Sequence, residues 1–123
     1  MTLKLTIKAI ASLTFAIAAT AALAHAQLQK ATPAVGSTVN ASPAEIRLKF
    51  SEGVEPRFSG IALATQDGAA EPIGKPSLDP ADNSVLVATI AQQLKPGAYK
   101  VTWRAVSVDT HKTQGSFVFT VAP

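Results

Sequence analysis

Two residues in the C-terminal part of the chain, Asp109 and His111, have the types and the spacing to hold a metal ion. In an extended segment residues i and i+2 point to the same face, so D-x-H sets a carboxylate beside an imidazole. The same spacing equally suits a plain hydrogen bond in a polar loop between two strands. The only other histidine is His25, directly after the small-x-small triplet Ala22-Leu23-Ala24. A signal peptidase accepts such a triplet, and cleavage there would make His25 the first residue. A terminal histidine offers its α-amine and its ring Nδ1 together as a chelate. An α-amine titrates at roughly 7.7–8.0, so a metal displaces its proton close to neutral pH. With the His111 imidazole the set has three nitrogens, and an Asp109 oxygen completes a tetragonal arrangement. Nitrogen and oxygen donors in that geometry favour Cu(II) or Ni(II) over Mg or Ca. The competing reading is that the peptidase leaves a histidine there by coincidence.

The rest of the composition narrows the chemistry. The chain has no cysteine, and its single methionine is Met1. After cleavage no thiolate or thioether remains, so bound copper is expected as Cu(II), and reduction should loosen it. Residues 1–24 read as a signal peptide, with Lys4 and Lys8 ahead of an apolar run from Ala9 to Ala19 broken only by Ser12 and Thr14. That run is shorter than the roughly 20 residues a membrane span needs, the alternative being an uncleaved N-terminal anchor. Without residues 1–24 the chain of 123 keeps 99, its basic count falls from 11 to 9 against 8 acids, and its net charge drops from +3 to +1. The apparent basicity is mostly a targeting signal and gives no support for nucleic-acid binding, which needs a concentrated basic face. Residues 25–123 form one domain that must be held by packing without disulfides, although export implies an oxidising compartment.

The elements that must position these groups are strands. Glu45-Ile46-Arg47-Leu48-Lys49-Phe50 alternates strictly, with Ile46, Leu48 and Phe50 on one face. Phe58–Thr65, Ser84–Ile90, Ala98–Ser107 and Gly115–Val121 read as further strands, with short ones at Gln27–Lys30 and, at an edge, Pro72–Lys75. Thr32–Ser37 reads as a turn or loop, and Gln66–Pro80 as an irregular connection rich in Gly, Pro and Asp. No stretch after residue 24 holds a helical period. About seven short strands between turn signals predict an all-β fold, an antiparallel Greek-key β-sandwich of immunoglobulin-like size. Trp103, Phe117, Phe119 and Phe50 fall on alternating positions and are expected between the sheets. Arg104 is expected on the opposite face from Trp103. Glu52, in the break after Phe50, reads as a loop residue, the alternative being that it approaches the N-terminus. There is no G-x-S-x-G elbow, no defensible carboxylate pair and no phosphate loop to suggest an enzyme.

Four stretches together resemble the CopC family of periplasmic copper-binding proteins. They are A-L-A followed by His25, T-P-A-V-G-S at Thr32–Ser37, L-K-F-S-E at Leu48–Glu52, and W-R-A-V-S-V-D-T-H-K-T-Q-G-S at Trp103–Ser116. The resemblance covers essentially all of residues 25–123. It implies a cupredoxin-like barrel or sandwich binding one Cu(II) through the amine and Nδ1 of His25, the ring of His111, and Asp109. It implies for Glu52 a place beside the site, hydrogen-bonding near the N-terminal amine without touching the metal. It also implies a carrier or buffer in copper homeostasis and resistance, working with an inner-membrane copper permease of the CopD type; the chain is expected to be a monomer. Some members carry a second, Cu(I) site in a loop rich in Met and His. Gln66–Pro80 has neither residue, so the chain is similar to the members with the Cu(II) site alone.

Two other functions compete. A terminal histidine with a second histidine also resembles the copper site of polysaccharide monooxygenases, which would make the protein a small copper oxidase or monooxygenase. Against it, Asp109 would fill a position that oxygen chemistry needs open. A metal-free sandwich used in adhesion or assembly is the third.

Overall fold

The computed structural model describes residues 25–123. The expected signal peptide, residues 1–24, lies outside the described residues. Alternating sequence becomes alternating burial. Strand β3 (Glu45–Phe50) buries Ile46, Leu48 and Phe50 completely and leaves Glu45, Arg47 and Lys49 partly exposed. Strand β8 (Gly97–Val106) buries Tyr99, Val101, Trp103 and Ala105 and turns Lys100, Thr102 and Arg104 outward. In β9 (Lys112–Val121) Phe117, Phe119 and Val121 face in. These are the predicted core residues, on the predicted faces.

The remaining strands are β1 (Leu28–Thr32), β2 (Thr38–Val39), β4 (Gly60–Thr65), β5 (Ala70–Glu71), β6 (Ser77–Asp79) and β7 (Asp82–Thr89). One sheet has the order β1-β3-β7-β6 and the other β2-β9-β8-β4-β5, so the chain crosses between layers after β1, β2, β3, β5, β7 and no other described strand. The layers meet where Phe50 of β3 sets its ring edge-on to Trp103 of β8, centroids 5.2 Å apart at 68°. Within the second sheet Tyr99 stacks on its cross-strand partner Phe119 at 5.7 Å.

Some details differ from the sequence expectation. There are nine strands among the described residues, where about seven were expected; β2, β5 and β6, of two or three residues each, are too short to show a period. The β2–β9 pair is parallel, in a sheet otherwise antiparallel. Pro72–Lys75 is no edge strand: Ile73 makes one isolated bridge to Ile90, and β5 and β6 lie on either side. Pro72 has no N–H to donate, and Gly74 and Pro76 interrupt the chain again within four residues, so regular pairing cannot run through. Phe58, expected to begin a strand, precedes β4 and stands 62% exposed. Among the described residues no helix is long and apolar enough to cross a membrane.

Candidate metal centre

The ten-pair ladder of β8 and β9 ends at Val106 opposite Lys112, and the loop Ser107–His111 closes it. Ser107 is wholly buried at the mouth of this loop. Its N–H donates to the His111 carbonyl at 2.9 Å, and its carbonyl accepts from the Thr110 N–H at 2.9 Å. Its hydroxyl accepts the His111 N–H at 3.2 Å and donates to Asp109 Oδ1. Thr110 sits at φ 72°, a left-handed conformation that β-branched residues rarely adopt. That twist lies between Asp109 and His111. Val108 N–H donates to the Gly53 carbonyl at 3.0 Å, and Val54 bridges Ser107, so the loop is tied to the chain just beyond β3.

Asp109 Oδ2 lies 3.1 Å from His111 Nδ1. The D-x-H pair is therefore a contact pair, with Nδ1 turned to the carboxylate and Nε2 left for another partner. The Ser107 hydroxyl, with smaller contributions from the His111 ring and amide, holds the Asp109 carboxyl down to about 2. It stays ionised, as a ligand or a ligand's partner must be.

The N-terminal segment is docked against the same end of the sandwich. Gln27 N–H donates to Ser51 Oγ at 2.9 Å, and Ser51 N–H returns a bond to the Gln27 carbonyl at 2.8 Å. Ser51 Oγ also reaches the His25 carbonyl at 3.3 Å, and Thr113 Oγ1 donates to the Ala26 carbonyl at 2.8 Å. Ala26 is fully buried by these contacts. They carry His25 across 86 residues of chain to His111: the two rings meet edge-on, centroids 4.5 Å apart at 76°.

Two polar atoms here are buried without a hydrogen-bond partner among the described residues, His25 Nδ1 and Glu52 Oε1. Unpartnered buried polar atoms are rare and cost about 1–3 kcal/mol each, so a pair at one end of a small domain calls for a reason. Nδ1 is the atom the chelate reading assigns to the metal. Glu52 is not the free loop residue that its position in the break suggests; its oxygen is buried directly after Ser51, which grips the N-terminal segment. Among the described residues no three side chains of His, Cys, Asp and Glu group closely enough to hold an ion by themselves.

Sequence reading set Ser51 and Ser107 aside, since they lie near the histidines without making a hydrolase, and passed over Thr113. Ser107 had a signal: it continues the inward series 99, 101, 103, 105 where an apolar residue belongs. The other two had none, since their partners are 24 and 87 residues away.

Residues 28–122 match the CopC domain family model. The chain belongs to the CopC family. It is 39% identical over 113 residues to Protein YobA of Escherichia coli K12, which covers 92% of this chain and 91% of that protein. In three dimensions it is similar to CopC from Methylosinus trichosporium OB3b, with TM-score 0.75, 31% identity, and coverage of 80% of this chain and 95% of that one. It is also similar to PcoC, a methionine-rich copper resistance protein from Escherichia coli, with TM-score 0.70, 35% identity, and coverage of 79% and 98%. The richness in methionine is not shared: this CopC-family chain has Met1 alone.

Proposed function

We propose that this CopC-family protein is a periplasmic Cu(II) carrier or buffer, serving copper homeostasis and resistance without catalysis. Residues 1–24 are removed on export, and one Cu(II) per chain is held by the α-amine and Nδ1 of His25, the imidazole of His111, and Asp109. Glu52 sits beside the amine and accepts from it. The protein works as a monomer and exchanges copper with an inner-membrane permease of the CopD type. The observation that carries this reading is the unpartnered His25 Nδ1 beside the His111 ring, 4.5 Å between centroids. Supporting it, PcoC is a copper resistance protein with the same fold. The donors present are nitrogen and oxygen, which suit Cu(II), and the absence of Cys and of any Met beyond Met1 speaks against a Cu(I) site.

The test is a Cu(II) titration of the chain beginning at His25 beside one with a single extra residue ahead of it. The expected result is tight one-to-one binding by the first and binding weaker by about 100-fold or more by the second. The grounds are that even partners of metal ligands, when removed, cost about 10–100-fold. Equal affinity would remove His25 as a terminal chelate and leave only Asp109 and His111.

A further inference from the structure

A cleft of about 670 Å³ opens on the outer face of the β8–β9 hairpin, at the end that carries the 107–111 loop. Register places Arg104, Val106, Lys112 and Gln114 on that face, since Arg104 pairs with Gln114 and Val106 with Lys112. The turn ahead of β4 adds Arg57 and the exposed ring of Phe58, and Thr110 contributes from between Asp109 and His111. An apolar floor of Val106 and Phe58 is thus rimmed by three cations, one of them adjacent to His111.

Those cations have no carboxylate partner among the described residues. Among the described residues the ion pairs run from Arg47 to Glu45 and Asp79, from Lys49 to Asp82 and from His111 to Asp109. Of the acids in those pairs, Glu45, Asp79 and Asp82 lie on the other sheet and Asp109 is taken by His111, so Arg57, Arg104 and Lys112 are left without an ion-pair partner among the described residues. Arg104 lies over Gly60: a Cβ there would come within 2.7 Å of its Nε and 3.3 Å of its Cζ, so the head group occupies space that a side chain at position 60 would contest. An arginine without an ion-pair partner beside an exposed aromatic is the composition of a recognition surface.

We propose that this cleft docks an acidic segment of a partner protein, with carboxylates on Arg57, Arg104 and Lys112 around an apolar side chain set against Phe58. Thr110 belongs to both the cleft wall and the D-x-H loop, so a segment seated here brings its protein against the metal centre. That the partner gives or takes copper rests on the carrier reading above. The docking test uses no metal, so either idea can fail alone.

The probe is a short dye-labelled peptide of glutamates around a central leucine, titrated into the metal-free chain and followed by fluorescence anisotropy. Saturable binding is expected, weakening as salt rises. Arg57→Glu and Arg104→Glu should each weaken it by roughly tenfold. Lys95→Glu makes the same change of charge about 30 Å away, at the far end of β8 by strand length, and should leave binding within about twofold. Gly60→Ala keeps every charge but lifts Arg104 off the sheet, and should also weaken binding. The proposal is overturned if Lys95→Glu does as much harm as Arg104→Glu, or if no saturable binding occurs. It is equally overturned if phosphatidylglycerol vesicles capture the chain while the peptide does not, which would make the face a membrane contact.

Discussion

At Ser107 one hydroxyl serves both halves of the D-x-H pair, accepting the amide of His111 and donating to the carboxylate of Asp109. It has no exposure to solvent, so no water can replace it if it is lost. Ser107→Ala would remove one partner of the His111 N–H and the strongest partner of the Asp109 carboxylate, and let both side chains turn. Cu(II) affinity is expected to fall by about 10–100-fold, the usual cost of losing an orienting partner, with the electron paramagnetic resonance signal changed in shape. If affinity and spectrum both match the parent, the loop backbone alone sets the geometry and the serine has no positioning role. The candidate donors were readable in the sequence as residue types, but the contact of Asp109 with His111 comes from a turn with Thr110 at φ 72° and not from the extended segment that the i, i+2 spacing suggested. The burial of the Glu52 Oε1 was not readable, because nothing local in the sequence says that one oxygen of a carboxylate in a bend loses its contact with solvent.

The β8–β9 hairpin is the element that turns packing into site geometry. Its register opposes Trp103 to Gly115, and the indole occupies the space a side chain there would need. A Cβ on Gly115 would lie 2.6 Å from Trp103 Cζ2 and 2.9 Å from Cε2. Trp103 cannot swing away cheaply, being 8% exposed and set against Phe50. Gly115→Ala is expected to cost about 1–3 kcal/mol by overpacking, lowering the melting temperature by roughly 5–20 °C. A melt coinciding with the parent's would mean the indole has room that the register denies it. Long strands such as β8 and β9 were legible because ten residues of alternation exceed chance. The pairings at β2 and β5 were not, since two residues carry no period and their hydrogen bonds depend on which strand lies alongside.

For the whole molecule, acid should separate two events. Asp82 is held well below the usual carboxylate range, first by Lys49 and then by Ser84; Asp79 is lowered by the Ala81 amide and Arg47, and Asp109 by Ser107 and His111. A carboxyl lowered in the folded state adds stability that is fully present above its unfolded value, about 3.9, and lost as pH falls through the folded one. These groups therefore leave the fold untouched between pH 7 and 5 and withdraw support from about pH 4 down to about 2. Copper should behave differently, because protons compete for its nitrogen donors across the higher range. Thermal melts and Cu(II) titrations in the same buffers should show affinity declining from pH 7 to 5 with little change in melting temperature. Parallel decline would mean that copper loss follows unfolding, and affinity flat over that range would point to carboxylate-only ligation.

The sequence by itself determined the all-β class, the inward faces of the long strands, the family, and the candidate donors. Each of these is written in local periodicity or in short motifs, where neighbours along the chain are neighbours in space. Only the tertiary structure decided that His25 meets His111, that Ser51 and Thr113 pin the N-terminal segment, and that unpaired cations gather beside the loop. Those facts depend on which strands lie together and in what register, and that is set by the packing of the two sheets around Phe50 and Trp103.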